Sequence, residues 1–137
     1  MRLIRESARP GALAAVAAVL LVSCGGSQSP ERVVRAWSKA LNAGDNDAAG
    51  RFFASRDEVI AGDSIRTLNT RDHAAAFNAG LPCSGEIVKL TVAGADVAAT
   101  FALASRPTHR CKGVGEHATI AFRIRDGKIV AFNQIGA

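Results

Sequence analysis

From Glu86 onward the apolar residues of this chain recur at every second position, interrupted at Gly94-Ala95, at a loop from Arg106 to Gly115, and at Asp126-Gly127. A period of two is the signature of a sheet that covers a core with one face. Glycine in the first central place suits a type II′ turn and Asp-Gly a type I′ turn, the two forms whose twist matches antiparallel strands. Two hairpins are therefore expected. The first sets Val92 opposite Val97, Leu90 opposite Ala99 and Val88 opposite Phe101. The second sets Ile124 opposite Ile129, Phe122 opposite Ala131, Ile120 opposite Asn133 and Ala118 opposite Ile135. Each hairpin then has one apolar face, and Asn133 is its odd polar member. A buried amide without partners costs about 1 to 3 kcal/mol, so Asn133 marks either a polar contact in a pocket or a wet strand end.

The preceding half reads as helices. Ser29-Pro30-Glu31 supplies a capping hydroxyl, a proline at the first helical position and an early acid, and Val33, Trp37, Ala40 and Leu41 then share one face up to Asn42-Ala43-Gly44. Asp45 or Asn46 caps a second, short helix through Ala48, Ala49, Phe52 and Phe53. Between Ser55 and Asn69 the pattern is poor, with short strands at Val59-Ile60 and Ser64-Ile65. Thr70 caps a third helix that carries Ala74 and Phe77, and Gly80-Leu81-Pro82 stops it. Three helices before a four-stranded antiparallel run make an α+β pattern.

The first residues are of a different kind. Arg2, Arg5 and Arg9 precede an apolar run from Gly11 to Val22 and the tetrapeptide Leu21-Val22-Ser23-Cys24. The run is about a dozen residues, against the roughly 20 that cross a bilayer, so it reads as a secretory leader. Leu21 to Cys24 resembles a bacterial lipobox. That resemblance implies removal of residues 1–23 and a fatty acyl group such as palmitate on Cys24. Residues 24–29, rich in glycine and serine, would tether a folded body at 30–137 to the cell membrane or outer envelope, outside the cytoplasm.

In that compartment the two remaining cysteines, Cys83 and Cys111, are expected to pair. In the chain-entropy model their loop contributes about 3 to 4 kcal/mol. The charge of +5 falls when the leader is removed and its basic residues are scattered, which argues against a nucleic-acid partner. Arg106, His109, Arg110 and Lys112 form one small basic loop, read as a solvated surface.

The helix pair joined by Leu41-Asn42-Ala43-Gly44-Asp45, the helix at Arg71 to Phe77 and the hairpin Phe122 to Ile129 together resemble the nuclear transport factor two-like superfamily, which includes SnoaL-like polyketide cyclases and ketosteroid isomerases. The resemblance spans roughly Pro30 to Ile135. It implies a cone in which three N-terminal helices pack on a curved, mainly antiparallel sheet. The implied pocket is lined by Trp37, Phe52, Phe77, Val88, Leu90, Ala99, Phe101, Leu103, Phe122 and Asn133, of which most must simply fill a core.

Catalysis of the ketosteroid isomerase kind uses an acid or base at an apolar site together with an oxyanion hole, for which that family employs a tyrosine and a protonated carboxyl. This chain has no tyrosine. None of the inward strand positions assigned above is Asp, Glu or His. Asp57, Asp63 and His73 remain as acid-base candidates, His73 and Asp57 first, for a SnoaL-like isomerase, cyclase or dehydratase acting on a small apolar substrate. The preferred expectation is a non-catalytic module that binds a small apolar ligand or an envelope protein. No cofactor is expected. No metal is expected either, because His109, Cys111 and His117 lack the spacing of paired zinc ligands. Val130, Phe132 and Ala121 make an apolar stripe on the outer sheet face, which either joins a second copy in a homodimer or is shielded by the stems of Arg123 and Lys89.

The protein extracted from cell membranes should lack residues 1–23 and carry acyl chains on Cys24. Mass spectrometry of its N-terminal peptide reads this directly, and an intact Met1 or an unmodified Cys24 thiol contradicts it.

Overall fold

Ser29 accepts a hydrogen bond from the backbone N–H of Arg32 (3.4 Å) and opens helix α1, Pro30–Asn42. The computed structural model describes residues 28–61 and 64–136, with the side chains of 56–61 excepted; the expected leader at 1–23, Cys24 and Asp63 lie outside the described residues. The elements are α1, α2 (Asn46–Gly50), β1 (Phe53–Ala61), β2 (Ser64–Leu68), α3 (Arg71–Gly80), β3 (Cys83–Ala93), β4 (Asp96–Ser105), β5 (His117–Arg125) and β6 (Lys128–Gly136). Asp45 caps α2 by accepting from the Ala48 N–H, and Thr70 caps α3 by accepting from the His73 N–H. All of these elements begin at or after Pro30 and share one core, so the chain from residue 24 onward contains the whole described fold. No helix among the described residues is long and apolar enough to cross a membrane.

The six strands form one curved sheet in the order β2-β1-β6-β5-β4-β3. It is mixed: β1 runs parallel to β6, and every other pair is antiparallel. Two helices, not three, precede the first strand. The second helix also ends sooner than its composition suggests. Gly50 packs so closely on α3 that a β-carbon there would stand 2.9 Å from the Ala75 nitrogen, and the chain then turns into β1, with the Ile129 N–H donating to the Phe52 carbonyl at 2.7 Å. Phe53 is therefore a strand residue, and the segment that read poorly is the β1–β2 hairpin.

Both hairpin turns take the expected form. Asp126 (φ 51°) and Gly127 (φ 71°) are both left-handed, and Gly94 (φ 61°) occupies the first central place of the other turn. Away from the turns, however, the pairing slips. Val92–Val97 and Leu90–Ala99 pair as expected, but a bulge at Val88 places Ile87, not Val88, opposite Phe101 and leaves Val88 half exposed. In the second hairpin Ile124 faces Ile129, after which a shift brings Phe122 opposite Phe132 and Ile120 opposite Gln134. One extra residue in a strand inverts every later side chain. Phe132 therefore points into the core, Gln134 lies on the inner face, and Asn133 turns to the outer one.

The consequence is an aromatic centre. Trp37 meets Phe101, Phe122 and Phe132 edge-on with ring centroids 5.3 to 6.1 Å apart, and Phe132 also contacts Phe53 and Phe77. Edge-to-face pairs of this kind add about 0.5 to 1.5 kcal/mol each beyond burial. With Phe132 inside, the outer face around Ala98, Thr100, Thr119 and Ala121 has lost the large side chain of the expected stripe. Arg123 does not cover Phe132; it donates to Asp96 across β4–β5 at 2.9 Å, and that bond holds the Asp96 carboxyl below its ordinary pKa.

Strand β3 is an edge, and edges invite mispairing. At Gly85 this edge is closed by Asn42, which donates through Nδ2 to the Gly85 carbonyl and accepts from the Gly85 N–H, both at 3.0 Å. Gly85 itself sits so tightly on β4 that a β-carbon would lie 2.3 Å from the Ala102 carbonyl oxygen. Gly85→Ala should therefore cost at least about 2 kcal/mol by forced overpacking of backbone, measured by urea unfolding; an unchanged midpoint would contradict this packing.

Candidate functional site

Beneath α1 and the curled half of the sheet lies a cavity of about 180 Å³. Its floor is Trp37 and Phe132, 1 % and 3 % exposed, with Phe77 and Phe101 beside them. Ala118 and Ile120 of β5 and Leu103 of β4 make the sheet wall, and Ser38 and Leu41 of α1 the helical wall. The rim runs through Leu81, Pro82, Cys83, Ser84 and Gly85 to Gln134, of which Pro82 and Gln134 are exposed. The space is thus apolar at depth and polar at the mouth. None of the described residues lining it is Asp, Glu, His, Lys, Arg or Tyr.

The rim is held by a buried polar chain. The Trp37 indole donates to Asn78 Oδ1 (2.8 Å), and Asn78 Nδ2 donates to the Ala74 carbonyl (2.7 Å). Arg106, only 4 % exposed, directs its Nη1 at the carbonyls of Asn78 (2.5 Å) and Leu81 (2.8 Å), while Nη2 donates to Asn46 Oδ1. These carbonyls belong to the end of α3, where backbone acceptors lack helical partners and the dipole favours a cation. Burial pushes the guanidinium below its ordinary pKa, and Nε has no partner. Arg106 is therefore no part of a solvated basic loop; it is the buried clamp between α2, α3 and the β4–β5 loop. Five residues further along that loop, Cys111 is bonded to Cys83, with Cα atoms 4.9 Å apart across a sequence separation of 28.

The sequence-predicted pocket residues divide. Trp37, Phe77, Phe101 and Leu103 line the cavity, whereas Phe52, Leu90, Ala99 and Phe122 pack in the core around it. Asn133 and Val88 are displaced from it by the two bulges. His73 does not point inward. It is exposed at the start of α3, and its Nδ1 accepts from the Asn69 N–H (3.4 Å), because the inward face of that helix is taken by Ala74, Phe77 and Asn78. Asp57 pairs with Leu68 in the β1–β2 ladder, and its side chain, like all of Asp63, lies outside the described residues. His109 and His117 are exposed and Cys111 is oxidised; among the described residues no three His, Cys, Asp or Glu gather for a metal. Gln134, Ser84 and Leu81 were missed in the sequence, and only Gly80-Leu81-Pro82, as a helix stop beside a cysteine, hinted that the rim passes there.

The sequence profile of the SnoaL-like domain matches residues 34–132. The chain belongs to this family. Among curated proteins none matches its sequence. In structure the SnoaL-like domain is similar to an NTF2-like protein of unknown function from Cytophaga hutchinsonii, with a TM-score of 0.65 at 13 % identity over 82 % of this chain and 93 % of that one. It is also similar to a putative polyketide cyclase from Sinorhizobium meliloti (0.61, 18 %, covering 79 % and 100 %). A putative ketosteroid isomerase from Kribbella flavida is a third (0.62, 14 %, 79 % and 77 %). At these identities the likeness concerns the fold.

Arg106→Met should destabilise the domain by about 3 kcal/mol, since it strands the α3 carbonyls in a buried place. Arg106→Lys should recover only part of this because an ammonium cannot fork. Denaturant unfolding with the disulfide intact measures both, and equal stability of all three proteins would remove the clamp from the account.

Proposed function

We propose that this SnoaL-like domain binds a small apolar ligand, about one six-membered ring in size, without transforming it. The observation that carries the reading is the cavity: its volume is close to that of an engineered apolar cavity of about 150 Å³ that stays dry and takes up benzene or xenon. A four-ring sterol would not fit the space without rearrangement. General acid or base catalysis needs a titratable group within hydrogen-bond reach of the reacting atom, and the described lining offers only the amide of Gln134, the hydroxyls of Ser38 and Ser84, and backbone. Those groups suit one hydroxyl or carbonyl of a ligand seated ring-first on Trp37. In the same reading the sheet closes as a cone around α1, and the domain stands at the envelope membrane on lipid attached to Cys24.

The thermal midpoint of the chain from residue 24 should rise in saturating phenol or cyclohexanol and stay unchanged in cholesterol. Ala118→Leu, which fills the sheet wall, should abolish the ring-ligand shift without lowering the stability of the free protein by more than about 2 kcal/mol. A shift with sterol and none with single rings, or turnover of a Δ5-ketosteroid above the buffer rate, would overturn the reading in favour of an enzyme of the isomerase, cyclase or dehydratase kind.

A further inference from the structure

At the end of the domain opposite the cavity mouth lies a second hollow of about 450 Å³, and its chemistry is different. Arg51 from the end of α2, Arg71 from the first turn of α3 and Lys128 from the start of β6 line it, together with Ser55 and Thr70. Lys128 Nζ donates to the Arg51 carbonyl at 2.6 Å, which ties two walls together and leaves two ammonium N–H groups for a ligand. The α3 N-terminus adds the positive end of its dipole. No acidic residue is among the described residues that line the hollow; of the three nearest in sequence, Asp72 and Asp126 are exposed and the side chain of Asp57 lies outside the described residues.

The place of this hollow in the fold constrains its occupant. Lys128 follows directly on Gly127, and the backbone nitrogen of Gln28 lies 3.7 Å from the point where a β-carbon on Gly127 would stand. The chain therefore enters the folded body at the rim of the basic hollow. Cys24 is four residues before Gln28, at most about 14 Å of extended chain. Resting on the reading that Cys24 bears lipid, we infer that the Arg51–Arg71–Lys128 hollow receives the phosphate headgroup of an anionic phospholipid in the bilayer that holds the anchor. Three basic groups facing the surface add about a hundredfold to membrane affinity, at roughly fivefold for each. The second contact orients the body as well as holding it. Gln134 is six residues along β6 from Lys128, about 20 Å at the rise of a strand, so a domain seated on this hollow turns its apolar cavity away from the membrane.

The test uses the chain from residue 24 with Cys24→Ser, so that no lipid is attached and the hollow is read alone. Cosedimentation is measured with vesicles of phosphatidylcholine and with vesicles of phosphatidylcholine and phosphatidylglycerol in equal parts. Binding to the anionic vesicles only, reduced about a hundredfold in Arg51→Gln/Arg71→Gln/Lys128→Gln and much less in Lys39→Gln/Arg110→Gln/Lys112→Gln, is the expected result. Circular dichroism checks that both triple variants are folded, and glutamine at 128 keeps a donor for the Arg51 carbonyl.

Equal loss in the two variants overturns the proposal, because it means diffuse surface charge. Equal binding to neutral vesicles, or binding to none, overturns it too. Saturation by millimolar inorganic phosphate with no vesicle binding would assign the hollow to a soluble phosphate and also overturn it. The acylation of Cys24 is read separately by mass, so a failed hollow and a failed anchor are distinguishable.

Discussion

The hydrogen bond from the Trp37 indole to the Asn78 amide, and the Arg106 fork that grips the same turn of α3, are the contacts on which the rest of the fold depends. Without them α1 and α3 would meet only through apolar surface, which is non-directional. With them the two helices have one relative position, since a buried indole N–H, amide or guanidinium left unpaired is costly. The same turn carries Leu81 and Pro82 into β3, so fixing it also fixes the cavity rim. The Cys83–Cys111 bond closes the arrangement covalently, since Arg106 and Cys111 belong to one loop and both reach the junction of α3 and β3. The junction is thereby held twice, once by charge-assisted hydrogen bonds and once by sulfur.

Local chemistry was legible in the sequence wherever one residue decides it. Ser29, Asp45 and Thr70 cap the helices, and Gly94 and Asp126-Gly127 make the hairpin turns, because each acts through its own backbone or its near neighbours. The cysteine pair followed from count and compartment. What stayed hidden were the irregularities at Val88 and Val130, for a bulge has no required residue and these look like any other strand valine. Their effect is large. The slip near Val130 exchanges Phe132 for Asn133 and moves the polar group of the cavity from Asn133 to Gln134. Of strand β1 the sequence showed only Val59-Ile60; its start at Phe53 and its parallel pairing with β6 were hidden, since an amphipathic Phe52-Phe53 next to a helix does not announce a partner some seventy-five residues away. Arg106 was read as solvent-facing because sequence gives no sign that helix-end carbonyls wait for it.

Fold and function part company here. Structural relatives named as a polyketide cyclase and a ketosteroid isomerase have this architecture, and activity is decided by groups placed in the site, not by the fold. In this chain the deep part of the cavity is given over to aromatic rings. His73, an acid-base candidate in the sequence, is spent on the surface at a helix start. The domain is also polar in its organisation from end to end. Basic residues line the hollow beside Gln28, and the cavity opens at the far end of β6.

The central claim is that the space above the Trp37–Phe132 floor is hollow and dry. Diffraction from crystals of the domain held under xenon tests it directly, because xenon enters apolar cavities of this size and scatters strongly. The account predicts one xenon atom enclosed by Trp37, Phe101, Phe132 and Ala118. A site filled instead by repacked side chains, or by ordered water bonded to Gln134 and Ser38, would contradict it.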